Sequence, residues 1–131
     1  MNGKVTSFLR RTAISLVLAL PLVGCGELEP DGVACIAIAI AGLDVAVVNE
    51  STNQPVCDAT VTATDGGYSE RLNAIGCRYS GAFERPGSYS LRAERAGFAT
   101  RTVVAERVAM SSGQCPHPVA VRTEIRLTPT P

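Results

Sequence analysis

Covalent or metal chemistry in this 131-residue sequence would fall first to five cysteines and a single histidine, at positions 25, 35, 57, 77, 115 and 117. A structural zinc site needs cysteines spaced C-x₂₋₄-C with matching partners. No such pair exists, and His117 stands alone between Pro116 and Pro118. A histidine so placed is a loop residue fixed by prolines rather than a general base. Asp58, Asp65 and Glu70 could be combined on paper into a calcium site, but no ligand-rich loop surrounds them, and they read as turn and surface carboxylates. There is no G-x-S-x-G, H-E-x-x-H or phosphate-binding glycine loop. No catalytic, cofactor-binding or metal-binding residue is therefore expected, and the chemistry left over is that of the thiols. Cys35, Cys57, Cys77 and Cys115 form an even set within about 100 residues, which in an exported chain reads as a disulfide framework. Cys25 is the odd one out.

The reason lies upstream of it. Residues 1–11 carry Lys4, Arg10 and Arg11 and no acid, and residues 12–23 are mostly apolar. Twelve residues are too few to span a bilayer, which takes about 20. A positive start, a short apolar core and a small-residue exit form a signal peptide over 1–24. Its last residues, Leu22-Val23-Gly24-Cys25, resemble the lipobox of bacterial lipoproteins. That resemblance implies a diacylglyceryl group on the Cys25 sulfur, cleavage before it, and acylation of the new amino terminus. One acyl chain anchors only marginally, whereas two or three hold a protein to a membrane without a transmembrane helix. The alternative is an ordinary secretory signal with a chance cysteine. Gly26, rather than Asp, follows Cys25, which in the well-studied Gram-negative pattern directs a lipoprotein to the outer membrane. Residues 25–32 are then the acylated cysteine and a short polar tether, with a reach of about 15 Å.

Removing residues 1–24 leaves nine arginines against twelve carboxylates, a net charge of −3. A mildly acidic chain without tryptophan is poorly suited to nucleic acid, which demands clustered Lys and Arg.

The elements that must position the thiols read as strands. Residues 35–48, CIAIAIAGLDVAVV, alternate β-branched residues with alanine and predict a long first strand bent at Gly42. Ala59 to Thr64 alternates again, Asp65-Gly66-Gly67 is a tight turn, and Tyr68 to Leu72 is the return strand. Ser88 to Glu94 places Tyr89, Leu91 and Ala93 on one face. Arg101 to Met110 is a further strand with an irregularity at Val103-Val104, and Val119 to Leu127 closes the domain with Val119, Val121, Ile125 and Leu127 inward. Arginines at 71, 78, 85 and 92 fall every seventh residue, but Gly76, Gly81, Pro86 and Gly87 rule out a helix, so they belong to solvated strand faces. Six or seven short strands at this spacing make an all-β sandwich over 33–131.

Four cysteines allow three pairings. Folding back about Gly66 brings Cys57 near residue 75, which ranks Cys57–Cys77 with Cys35–Cys115 first. Loops of about 20 and about 80 residues would contribute roughly 3 and 4.5 kcal/mol by the chain-entropy account.

From Leu43 to Leu127 the chain resembles a carboxypeptidase regulatory-like domain. The residues that carry the resemblance are Pro55, Ala59, Gly81 to Phe83, Pro86-Gly87-Ser88-Tyr89-Ser90-Leu91 and Gly97-Phe98. It implies a transthyretin-like Greek-key sandwich of about seven strands, with Tyr89 and Leu91 in the core and Phe98 over its end. It says little of function, because this sandwich is attached to many unrelated proteins. The expectation is a non-catalytic, membrane-anchored protein-binding or assembly module of the bacterial envelope, contacting an envelope protein through sheet edges or loops. The alternatives are a carbohydrate-binding module, with Tyr68, Tyr79 and Phe83 as a platform, and a structural spacer.

Overall fold

The computed structural model describes Gly32 and residues 34–105 and 107–131. The expected signal peptide over 1–24, Cys25 and all of the expected tether except Gly32 lie outside the described residues. Among the described residues there is no helix. Eight strands, rather than about seven, are present among them: β1 Ala41–Asn49, β2 Thr60–Asp65, β3 Tyr68–Arg71, β4 Asn73–Ile75, β5 Arg78–Phe83, β6 Ser90–Glu94, β7 Arg101–Val104 and β8 Val121–Leu127. They form two four-stranded sheets in the orders β4-β5-β1-β8 and β3-β2-β6-β7. Every pairing is antiparallel except β1 with β8, where Leu43 lies beside Val121 and Asn49 beside Leu127.

The two-residue period of the sequence explains the layering. Leu43, Val45 and Val47 of β1, Tyr79 of β5, and Ile125 and Leu127 of β8 point inward from one sheet. Val61 and Ala63 of β2 and Leu91 and Ala93 of β6 meet them from the other, with Tyr89 just before β6. Small residues on the second sheet leave room for the rings of Tyr79 and Tyr89, which are among the largest fully buried side chains. The β2–β3 hairpin turns on Gly66-Gly67, with Asp65 opposite Tyr68 and Gly66 at φ +57°. A left-handed residue there is what a tight hairpin turn demands, and glycine adopts it without cost.

Four expected elements differ. The first strand does not begin at Cys35 but at Ala41, and Ile36 and Ile38 are 80% and 66% exposed. No neighbour offers them a ladder. On one side β5 ends at Phe83, where Ala82 and Glu84 take φ +52° and +50° and turn the chain away. On the other side Pro116 and Pro118 lack the N–H groups that would extend β8 backwards. The strand from Arg101 stops at Val104, and the chain beyond makes only isolated bridges, Val108 to Gly87 and Met110 to Pro118. Val119 is 52% exposed rather than inward, because β8 starts two residues later. The return strand of the first hairpin ends at Arg71, and Leu72 turns into the core, its N–H donating to the Val61 carbonyl.

The two disulfides are Cys35–Cys115 and Cys57–Cys77. These are the pairs that the strand reading ranks first, but the route to Cys57–Cys77 differs. Cys77 sits in the β4–β5 turn, so the bond ties a hairpin of one sheet to the lead-in of β2 in the other. Cys35–Cys115 joins the segment before β1 to the segment before β8. The two bonds therefore staple opposite ends of the sandwich. The end at which the chain enters β1 is called proximal below, and the end that carries Cys57–Cys77 distal.

Candidate functional site

The proximal end collects the unusual features of the domain. The extended segment 34–40 runs over it with Ile36, Ile38 and Ile40 exposed, and it lines a groove with Cys35, Cys115 and His117. The segment is tied at two points. Cys35 is bonded to Cys115, and Ile40 exchanges hydrogen bonds with Glu84: the Ile40 N–H donates to Glu84 Oε1 at 2.6 Å and the Glu84 N–H donates to the Ile40 carbonyl at 3.0 Å. Glu84 reaches Ile40 because its own backbone is left-handed. Ala82, fully buried, shares that conformation, at about 1–2 kcal/mol for a residue with a Cβ. It is held there by the Glu70 carboxylate, which accepts from the Ala82 N–H, and by the Arg85 N–H, which donates to the Ala82 carbonyl at 3.2 Å.

Behind this bend lies Arg85, which is not simply solvated as its spacing suggests. Its guanidinium stacks 3.9 Å from the centre of the Tyr68 ring and donates to Asp65 Oδ2 and to the Tyr89 hydroxyl, each at 3.0 Å. The Tyr89 hydroxyl donates in turn to the Arg85 carbonyl at 2.9 Å. Hydrogen bonds to Asp65 and then to Tyr89 raise the Arg85 pKa, and burial followed by the neighbouring Glu70 raises that of Tyr68. Arg85 thus joins the β5–β6 connection to the β2–β3 hairpin, and Gly87, two residues on, lies so close to the Asp65 carboxylate that a Cβ would force it to shift. Pro86-Gly87 signals a turn in the sequence, but close approach is what demands the glycine here.

The other candidates do not converge. Asp58 pairs with Arg95 at 2.6 Å, Asp65 with Arg85, and Glu70 with the Ala82 N–H, so the three carboxylates face different partners. Among the described residues no group of three or more His, Cys, Asp and Glu could hold a metal ion. His117 Nδ1 lies 3.1 Å from Ser111 Oγ and 3.2 Å from the Cys115 carbonyl. Nδ1 donates to the Cys115 carbonyl in one ring tautomer and accepts from the Ser111 hydroxyl in the other, so this nitrogen is occupied within its own loop. The Ser111 N–H donates to the His117 carbonyl and the His117 N–H to Ser111 Oγ, which closes this loop around Cys115.

The aromatic platform falls apart for a similar reason. Tyr79 is 1% exposed. Its hydroxyl donates to the Val56 carbonyl at 2.8 Å and accepts from the Ala59 N–H at 2.9 Å, so it reaches from β5 across to the lead-in of β2. Its phenol is pushed above the usual range by burial. A tyrosine in an alternating strand gives no sign of whether its face is inward, and only the β1–β5 register, Val45 opposite Tyr79, decides it. Tyr68 is half-buried against the core with Arg85 over its ring, and Phe83 is 40% exposed.

No protein-family model matches the chain, and no curated protein matches its sequence.

Proposed function

We propose that this chain is a lipoprotein of the bacterial envelope, acylated on Cys25, whose transthyretin-like sandwich acts as a non-catalytic binding or assembly module at the outer membrane. The observation that carries this reading is the order of the thiols. Cys25 closes a lipobox-like signal, and ten residues later Cys35 begins a sandwich with two disulfides. Disulfides of this kind belong to an oxidising compartment, and a tether this short belongs to a membrane surface. The resemblance of residues 43–127 to carboxypeptidase regulatory-like domains adds support for a binding role, as does the longest sheet edge, β8, with its seven residues open to strand addition. The carbohydrate-binding alternative is weakened by the burial of Tyr79.

Intact mass spectrometry of protein purified from bacterial envelopes tests the anchor. The expected product lacks residues 1–24 and carries diacylglyceryl and amide-linked acyl mass on Cys25. A product that keeps residues 1–24, or one with a free thiol at position 25, overturns it. Crosslinking in intact envelopes that recovers one protein partner supports the binding role, and recovery of none returns the domain to a spacer.

A further inference from the structure

Eight large hydrophobic side chains are exposed among the described residues, and their placement is uneven. Ile36, Ile38 and Ile40 precede β1, and Phe83 ends β5 opposite Ala41. Met110 and Val119 lie just before β8, where Met110 bridges Pro118. Val104 ends β7 opposite Ser90, on the side of the Arg85 cluster. All seven are proximal, and only Ile75, beside the β4–β5 turn, is distal. Chance scatter of surface hydrophobics needs no explanation, but polarisation to one end does.

We propose that the proximal end is a bilayer-contact surface, with the Ile36–Ile38–Ile40 ridge seated in the boundary between lipid headgroups and acyl chains and Arg107 and Arg122 on lipid phosphates. This rests on the acylation of Cys25 argued above. Three observations select lipid over other occupants. The first is chain length: ten residues separate Cys25 from Ile36, and no stretch of that length spans more than about 40 Å, so acylation of Cys25 keeps the ridge near the membrane. That proximity gives the bilayer a large advantage in effective concentration over a second copy. The second is charge. The groove beside Val119 is bordered by Arg107 and Arg122, and the Arg122 side chain is 84% exposed with Asp44 only at 3.6 Å. Guanidinium groups beside an apolar patch suit phosphate oxygens above an acyl layer. The third is the carboxylate nearest the ridge, Glu84, which is turned back onto the Ile40 N–H rather than out towards a headgroup. The disulfide to Cys115 and the Glu84 clamp hold the ridge extended, so little ordering is left to be lost on contact.

The chain has no tryptophan, so a single introduced one is a clean reporter. Ile38→Trp and, as control, Ile75→Trp replace residues of nearly equal exposure, 66% and 69%, at the two ends. Each full-length protein, produced with its signal and checked by intact mass for acyl groups on Cys25, is placed in vesicles of phosphatidylethanolamine and phosphatidylglycerol containing brominated lipid. The tryptophan at position 38 is expected to be quenched roughly twofold or more, as for a side chain about 5–10 Å into the boundary, and the one at 75 to be unaffected. Adding Ile36→Ser to the position-38 reporter should reduce the quenching. Acylated protein whose reporter at 38 is no more quenched than that at 75 overturns the docking proposal and leaves the anchor standing. Protein without acyl mass overturns both, and the mass spectrum tells the two failures apart. A blue-shifted but unquenched reporter whose shift grows with protein-to-lipid ratio assigns the ridge to a second copy and likewise overturns the proposal.

Discussion

Removing one oxygen from Tyr79 should show what its hydroxyl contributes. Tyr79→Phe leaves the ring in the core but strips partners from the Ala59 N–H and the Val56 carbonyl, both at the lead-in to β2. Leaving such groups unpaired costs about 1–3 kcal/mol, readable as a lower urea midpoint with an unchanged slope. The same residue sets an alkaline limit. Burial raises the folded phenol above its ordinary value of 10.0, so the unfolded chain loses that proton first as pH rises. The stabilisation is present in full below the unfolded pKa and is lost as pH climbs through the folded one. Stability measured from about pH 9 to 11 should therefore fall, and fall less steeply in Tyr79→Phe, with Tyr68 supplying part of the remaining slope. That Tyr79 is a core residue could not be read from its strand alone. The alternation in RYSGAF separates two faces but does not say which is inward, and the expectation of a surface platform fails on that point.

At the scale of elements, the cores of β1, β2, β6 and β8 were legible because each alternates apolar and polar residues over most of its length and pairs along that length. The segment before β1 alternates just as well and is not a strand. Period two states a willingness to pair, and pairing also needs a neighbour. Gly42 illustrates the same dependence on neighbours. In the sequence it marks a bend, whereas in the fold a Cβ there would come within 2.6 Å of Val108 Cγ1 and 3.0 Å of the Ala82 carbonyl. Gly42→Ala should lower stability by about 1–3 kcal/mol through this overpacking, checked by thermal or chemical denaturation. Gly67, with open space around its missing Cβ and no left-handed backbone, should tolerate alanine far better and serves as the comparison.

For the molecule as a whole, the disulfides and the apolar end define a direction. Cys57–Cys77 holds the two sheets together at the distal end, and Cys35–Cys115 holds the lead-in ridge at the proximal end, with sequence separations of 20 and 80. By loop length, replacing Cys57 and Cys77 together with serine should cost roughly 3 kcal/mol, and replacing Cys35 and Cys115 roughly 4.5 kcal/mol. Both are large against the 5–15 kcal/mol of a typical domain, so a doubly reduced chain should be largely unfolded at about 37 °C, measured by circular dichroism with and without reductant.

The sequence by itself determined an even set of four thiols beyond Cys25, the all-β character of residues 41–127 and the alternating cores of the long strands. These follow from local chemistry: side-chain period, turn residues and redox partners are all written within a few neighbouring positions. Only the tertiary structure decided that Tyr79 is buried, that Ile36 to Ile40 lie outside any strand, that Arg85 clamps the β5–β6 connection to the β2–β3 hairpin, and that seven exposed hydrophobics share one end. Each of those depends on which strands become neighbours and where a ladder runs out, and no single stretch of chain records that.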